Sequence, residues 1–376
     1  MEKGTLTKLH REIFSAGYPE ARTKFLHACR TAGASLEHYN HPLPGPDGSS
    51  LFTDVASFGP PDTSAVLGLC SGTHGVEGFA GSAIQTGLLL SGLPSRLPSG
   101  VRLVVIHAIN PYGFAHLRRV NEDNVDPNRN FVDHDAPYPV NTGYETLSEV
   151  FAPSRIDLRS RLRELTQVTA FRITRGRRAL QIALSAGQYS HPKGLFYGGT
   201  APIWSNLTFR AIVERHFAAT ARVAFIDFHT GLGPYGYGEM IVGEPIDSDA
   251  FGRARRWWGN RVRSVKNGGS VSVDMPGSLK FALSEMLSHT ELTSGSLEFG
   301  TIAPMRVFRA LQAENWLHHH GGADHPQTHL IKTRLLRAFY SDTEDWRMRV
   351  WSQAVEVIDQ VLLGLTRPGV EVGQAR

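Results

Sequence analysis

The sequence predicts an α/β fold, with a mixed, mostly parallel, doubly wound sheet and helices on both of its faces. Two observations predict it. First, three apolar runs bounded by turn residues have the length and composition of strands buried within a parallel sheet: Ala65–Cys70, Val101–Ile109 and Val223–Phe228. Second, the first run is followed by a helical pattern over Val76–Leu90. Strands that alternate with helices in this way indicate a doubly wound sheet.

Other segments complete the predicted fold. The first 35 residues are predicted to be helical, because apolar residues such as Phe25, Leu26 and Cys29 recur at spacings near three and four. The tail, Asp345–Leu365, is predicted to be an amphipathic helix. Further candidate strands are Leu51–Phe58, Glu239–Gly243, Val271–Val273 and Ser296–Phe299. The stretch 135–200 interrupts the strand pattern and is rich first in Pro, Asn and Gly and then in Arg. We interpret it as a helical insertion or cap on a single domain spanning residues 1–376.

Composition excludes several classes of protein. The net charge of +4 is too small to suggest a nucleic-acid partner. The eight arginines between Arg155 and Arg178 indicate either a solvated helix face or a site for an anionic partner. Two cysteines do not make a disulfide framework. The start, Met1–Thr5, opens no apolar signal segment, and no apolar run is long enough to cross a membrane, so we expect a cytoplasmic protein.

Polar residues stand at the carboxyl ends of the predicted strands, where doubly wound sheets bind their ligands. His74 follows the first strand, and Glu77 lies three residues later, so both side chains can reach one cation. His229 ends another strand, and Glu298 lies on a later one. A catalytic zinc takes three protein ligands of nitrogen and oxygen type and keeps one position open for water. An H-x-x-E pair alone occurs by chance, but the added strand-end residues predict a zinc site.

In these residues the sequence resembles the zinc carboxypeptidase superfamily. The order and spacing match over residues 63–301. The string Ser71 to Phe79 resembles a bacterial subgroup of carboxypeptidase-like proteins without a settled substrate. The motifs that carry the resemblance are His74-x-x-Glu77, Asn110-Pro111-Tyr112-Gly113, Arg118-Arg119, Asp126-Pro127-Asn128-Arg129-Asn130, His229 and Glu298.

The resemblance implies a zinc carboxypeptidase-like fold and a role for each motif. His74, Glu77 and His229 would bind one Zn²⁺ per chain, and Glu298 would act as general base and acid. Arg119, or its neighbour Arg118, would stabilise the oxyanion. Asn128 and Arg129 would bind a substrate carboxylate, since the planar guanidinium pairs bidentately with it. Asp227 is interpreted either as a hydrogen-bond acceptor for His229 or as a strand-end residue bonded to backbone.

The sequence departs from the superfamily in one respect that affects the substrate. A mobile tyrosine is expected between the third ligand and the glutamate, but the chain has no tyrosine from 238 to 297. Tyr235 and Tyr237 are candidates for a substrate-binding substitute, or they are loop aromatics. This departure shifts the expectation from peptide trimming towards the branch of aspartoacylase and succinylglutamate desuccinylase, which cut small N-acyl amino acids.

Three classes of function compete on the sequence alone. The first is a zinc hydrolase of an amide bond beside a carboxylate, with a small molecule or short peptide as its partner and neither nucleic acid nor membrane. The second is a non-catalytic binding module that contains zinc. The third is an anion- or nucleic-acid-binding protein that uses the arginine-rich stretch Arg155–Arg178. A homo-oligomer is compatible with all three.

Overall fold

A computed structural model of the chain describes residues 12–266, 270, 275–322 and 324–366. Within them lies one eight-stranded sheet, in the order β1-β2-β4-β3-β5-β8-β6-β7. The central pairs β4–β3, β3–β5 and β5–β8 are parallel, as is β6–β7, whereas β1–β2, β2–β4 and β6–β8 are antiparallel. The strands are β1 (Ser35–Asn40), β2 (Phe52–Phe58), β3 (Ala65–Ser71), β4 (Val101–His107), β5 (Arg222–Tyr235), β6 (Gly238–Val242), β7 (Val262–Ser264) and β8 (Glu291–Gly300). The predicted mixed, mostly parallel sheet is therefore confirmed.

Helices cover both faces of this sheet, as predicted. They are α1 (Tyr18–Thr31), α2 (Gly78–Leu90), α3 (Pro111–Ala115), α4 (Thr142–Phe151), α5 (Leu158–Ser185), α6 (Trp204–His216), α7 (Asp249–Trp258), α8 (Leu279–Met286), α9 (Pro304–Trp316), α10 (Thr328–Phe339) and α11 (Glu344–Thr366). The apolar side chains of α1, α2, α7 and α11 pack on one face, and those of α6 and α8 on the other. Among the described residues no helix is long and apolar enough to cross a membrane.

The observed elements differ from the prediction at a few places. Among the described residues the predicted N-terminal helix is interrupted at 14–17, α1 spans Tyr18–Thr31, and β1 begins at Ser35. Residues 1–11 and the candidate strand Val271–Val273 lie outside the described residues. β1 and β7 were not predicted. β1 is a half-exposed edge strand and β7 has only three residues, so neither carries a long apolar run.

The segment 135–200 forms a helical lobe beside the sheet. Helices α4 and α5 pack together, and their apolar residues join a buried cluster with α9 and α10 that includes Tyr144, Phe151 and Phe308. Most arginines of α5 are exposed to solvent, which agrees with a solvated helix face. The carboxyl end of α5 reaches the carboxyl edge of the sheet, where the predicted site residues lie.

Candidate metal centre and active site

The three predicted metal ligands meet at the carboxyl edge of the central strands. His74 follows β3, Glu77 lies in the 3₁₀ turn Gly75–Glu77, and His229 lies within β5. All three are buried, and one ligand atom from each lies within 4.8 Å of the others. The turn can be this tight because Gly75 has no side chain, since a Cβ there would lie 2.0 Å from the backbone of Gly113.

Both imidazoles point one nitrogen at Glu77 and the other at an aspartate. His74 Nδ1 lies 2.8 Å from Glu77 Oε1, and His229 Nδ1 lies 3.0 Å from Glu77 Oε2. On the outer side, His74 Nε2 lies 3.0 Å from Asp126 Oδ1, and His229 Nε2 lies 2.7 Å from Asp227 Oδ2. At His229 the Asp227 carboxylate accepts the Nε2–H and so favours the tautomer whose Nδ1 lone pair can bind a metal.

This arrangement fits a zinc ion. His74 Nδ1 is buried and, within the described part of the chain, has no hydrogen-bond partner despite its short distance to Glu77. Two imidazole nitrogens and one carboxylate are the donor set that catalytic zinc prefers, and a fourth position stays open for water. Burial alone would lower the pKa of His229, but Asp227 and Glu77 raise it well above the usual range. The two carboxylates therefore favour a positive charge at the position of His229.

Glu298 lies beside the metal ligands without belonging to their cluster. It is paired in register with His229 across β5 and β8, and its Oε1 accepts a hydrogen bond of 2.9 Å from Leu232 N. Burial, together with the negative charge of Glu77, raises the pKa of Glu298. A carboxyl group with a raised pKa suits the exchange of protons with water and with a leaving amine.

The two adjacent arginines point in different directions. Arg119 lines the site cavity, where its Nη1 donates to Asp126 and its Nη2 lies 2.8 Å from His74 Nε2. Arg118 is buried away from the cavity and donates to Glu314 at 2.9 Å and to Asn124 at 3.0 Å. Of the two arginines considered for the oxyanion, the structure therefore brings only Arg119 to the metal centre.

The ion pair that holds Arg118 should make stability depend on pH. Glu314 lies 2.9 Å from Arg118 and 2.8 Å from Lys332. Burial alone would raise the pKa of Glu314, but the two cations lower it to about 2. The unfolded chain, whose carboxyl has a pKa of about 4.3, binds the proton first. The stabilisation from this pair is therefore complete above about pH 4.3 and is lost as the pH falls towards about 2.

We expect the free energy of unfolding of the wild type to fall through this pH window more than that of Glu314→Gln. Urea unfolding between neutral pH and the acid limit measures both. The variant should be less stable at neutral pH, because it leaves Arg118 buried without its counter-charge, and the two curves should converge in acid. A difference that stays constant with pH would contradict the assigned ion pair.

Asn128 and Arg129 lie together on the wall of the cavity. Asn128 Oδ1 accepts a hydrogen bond of 2.9 Å from Leu279 N, which fixes the start of α8 against this loop. Arg129 is buried and donates to the carbonyls of Asn128 at 3.0 Å and of Ser185 at 2.6 Å. Its Nε is buried without a hydrogen-bond partner among the described residues, although Nη1 lies 3.6 Å from Asp126.

Tyr235 is not brought to the site. It lies at the end of β5, is 43% exposed, and its hydroxyl lies 2.6 Å from that of Thr343. It is absent from the cavity wall as described, as is Tyr237. The histidines of the π-helix Leu317–Gly321 belong to no such group of potential metal ligands, since the cluster at Glu77 is the one found within the described residues.

The sequence interpretation missed Asp126 as a partner of His74 and missed most of the cavity wall. Asp126 is the first residue of the motif Asp126-Pro127-Asn128-Arg129-Asn130, so that motif could have indicated its position at the site. The cavity has a volume of about 580 Å³ and is lined by the proposed ligands, Glu298, Arg119, Asn128 and Arg129. Residues of α5, α9 and α10 complete it, including Gln181, Leu184 and Ser185 from the predicted cap.

The fold and the site together define an α/β protein with a candidate mononuclear metal centre at the carboxyl edge of its sheet. The chain belongs to the family described as "Protein of unknown function (DUF2817)", whose model matches residues 14–353. No curated protein matches the chain at a significant level.

Several solved structures are similar to the chain. Carboxypeptidase A from Helicoverpa armigera is 13% identical, with a TM-score of 0.45, over 90% of this chain and 73% of that one. The succinylglutamate desuccinylase from Chromobacterium violaceum is 16% identical, with a TM-score of 0.36, over 83% and 72% of the two chains. The murein-tripeptide amidase MpaA from Escherichia coli O157 is 17% identical, with a TM-score of 0.36, over 78% and 96%.

Proposed function

We propose that this chain is a zinc-dependent hydrolase that cleaves an amide bond next to a free carboxylate, in an N-acyl amino acid or a short peptide. The observation that carries the proposal is the buried His74–Glu77–His229 cluster with a separate buried carboxylate, Glu298, on the wall of the same cavity. A structural zinc would take four protein ligands and need no such neighbour. Three ligands and a free carboxylate are the parts required for hydrolysis.

Each side chain has a defined task in this proposal. When bound, zinc supplies a Lewis acid that polarises the scissile carbonyl and makes water acidic enough to attack it near neutral pH. Glu298 accepts the proton of the attacking water and passes it to the leaving nitrogen. Arg119 is the cation nearest to the ligands and would stabilise the negative charge that develops on the carbonyl oxygen.

The amine half of the substrate would lie at the Asn128–Arg129 end of the cavity. Arg129 is a buried cation whose Nε has no partner among the described residues, so a carboxylate there would gain a charged hydrogen bond. Ser185, whose carbonyl accepts a hydrogen bond from Arg129, limits the space on this side. A cavity of about 580 Å³ whose wall is partly formed by the cap helix α5 favours a small substrate over a long peptide.

This function can be tested directly by assaying zinc-loaded protein with a panel of dipeptides and N-acyl amino acids. We expect hydrolysis that disappears on removal of the metal with a chelator and returns with zinc. Full occupancy by zinc without hydrolysis of any member would favour the alternative function, a non-catalytic zinc-containing binding module.

The role of Arg129 can be tested with a matched pair of substrates, one acid and its carboxamide. A charged hydrogen bond contributes roughly 1.5–3 kcal/mol, so Arg129→Ala should lower kcat/KM for the acid by at least about tenfold. The variant should also lose most of the preference for the acid over the carboxamide. Arg163→Ala, on the exposed face of α5, is the matched control and should change neither rate.

If Arg129 only shapes the loop through Asp126 and Ser185, the variant would be poor on both substrates with unchanged discrimination. Equal wild-type rates on acid and carboxamide would remove the carboxylate from the proposal and leave a neutral amide as the substrate.

A further inference from the structure

One end of the site cavity is an apolar wall that the proposed chemistry does not use. Helix α9 presents Pro304, Val307, Phe308 and Leu311 to the cavity, at the spacing of a single helix face. Leu184 from the carboxyl end of α5 and Phe339 from the end of α10 extend this wall.

The wall begins beside the proposed general base. A Cβ built on Gly231 would lie 2.9 Å from Phe339 Cε1 and 3.8 Å from Glu298 Oε1. Gly231 therefore allows the Phe339 ring to approach β5 closely at the position of Glu298. The next residue, Leu232, also lines the cavity, and its backbone N–H donates to Glu298. An apolar group bound along this wall would thus lie next to the reacting carbonyl.

The polar end of the cavity is formed by different residues. Asn128, Lys280 and Ser296 line the main cavity and also a small adjoining pocket. The described lining of that small pocket includes no residue of α9. The cavity therefore continues past Asn128 in a direction that leads away from α9.

The wall is part of a packed cluster and so has a fixed shape. Val307, Phe308 and Leu311 are each less than 8% exposed and belong to the buried cluster that joins α9 and α10 to the cap helices. Leu335 of α10, in the same cluster, is fully buried. A preformed apolar surface binds apolar groups without the cost of ordering it first.

We propose that the acyl half of the substrate is an uncharged apolar group larger than acetyl, such as a medium-length aliphatic chain, and that it binds along Val307, Phe308, Leu311 and Phe339. This inference rests on the proposed function, because it places the amine half at Arg129. In the reaction the amide C–N bond breaks, the water oxygen joins the acyl carbon and a proton joins the nitrogen. The products are an apolar carboxylic acid and a free amino acid.

The test compares N-acetyl-, N-succinyl- and N-octanoyl-L-alanine as substrates of the zinc-loaded enzyme. Each buried methylene should raise kcat/KM by about fourfold (about 0.8 kcal/mol), so the octanoyl substrate should exceed the acetyl one by at least about tenfold. The succinyl substrate should be the poorest, because it would place a carboxylate against an apolar wall.

Two variants of the apolar wall and one matched control test whether the preference for the octanoyl substrate arises at this wall. Leu311→Asp should lower kcat/KM for the octanoyl substrate by at least about tenfold and leave the acetyl substrate within about twofold. Because a buried charge can unfold the protein, Val307→Phe is the second variant, which fills the cavity with an apolar group and should give the same pattern. Met305→Asp, on the exposed side of α9, should change neither rate.

Calorimetric titration of Glu298→Gln with the octanoyl and acetyl compounds measures binding apart from hydrolysis, and the octanoyl compound should bind at least about tenfold more tightly. Hydrolysis by the wild type at an acetyl rate equal to or above the octanoyl rate would overturn this inference alone. No hydrolysis of any N-acyl amino acid or dipeptide would overturn the proposed function and this inference with it.

Discussion

Glu298→Gln should lose almost all hydrolytic activity while it keeps its zinc. Glu298 is buried beside His229, and its Oε1 accepts a hydrogen bond from Leu232 N at 2.9 Å. An amide of the same shape keeps that contact but cannot accept the proton of the attacking water. Loss of a general base lowers kcat by about 10²–10⁴-fold.

The measurement combines steady-state kinetics on the best substrate of the panel with the metal content of the same preparation. Glu291→Gln is the matched control, because Glu291 lies on the same strand but pairs with Arg222 at the half-exposed end of β8. It should keep both activity and zinc. Activity close to wild type in Glu298→Gln would remove Glu298 from the mechanism, and a loss of zinc would make it a ligand instead.

His74→Ala and His229→Ala should each reduce zinc from about one ion per chain to near zero after dialysis. Each substitution removes one of three protein ligands and leaves Glu77 buried with less positive charge around it. The expected loss is larger than that from Asp227→Asn, which keeps the ligand and removes only its outer partner. Substitution of a hydrogen-bond partner of a metal ligand weakens metal affinity by about 10–100-fold.

Circular dichroism of the same samples separates loss of the ion from loss of the fold. His191→Ala is the control, because this half-buried histidine pairs with Glu145 on the cap and is not among the described residues that line the cavity. Full zinc content in both His74→Ala and His229→Ala would show that the metal centre has been assigned to the wrong residues.

The central strands and the residues at their ends could be predicted because each strand is indicated by a short apolar run of consecutive residues. A run such as Val223–Phe228 is apolar on both faces, and the strand it forms delivers His229 to the edge of the sheet where His74 also arrives. The edge strands β1 and β7 carry no such signal. They are short or half-exposed, and their positions depend on pairing with neighbours.

The positions of the remaining site residues depend on tertiary contacts, which cannot be deduced from spacing along the sequence. Arg118 and Arg119 are adjacent in a loop, and their directions are decided by Glu314 and Asp126, one of them 196 residues away. Tyr235 was a candidate because it is close to His229 in sequence, but it lies beyond a register shift in β5, and its hydroxyl contacts Thr343 outside the cavity. The apolar wall comes from helices whose approach to Glu298 is set by tertiary packing.

Asp126 and Asp227, which contact the outer nitrogens of His74 and His229, reduce the entropy that these imidazoles would lose on binding a metal. Thr73 donates to Asp227 at 2.9 Å, Asp227 holds His229, and Asp126 holds His74, so the imidazoles are fixed by a chain of hydrogen bonds within the protein. Ordering a mobile side chain on binding costs about 0.5–1.5 kcal/mol. Here the hydrogen bonds within the protein restrict both imidazoles. The free energy released by coordination is therefore less reduced by the cost of ordering these two side chains.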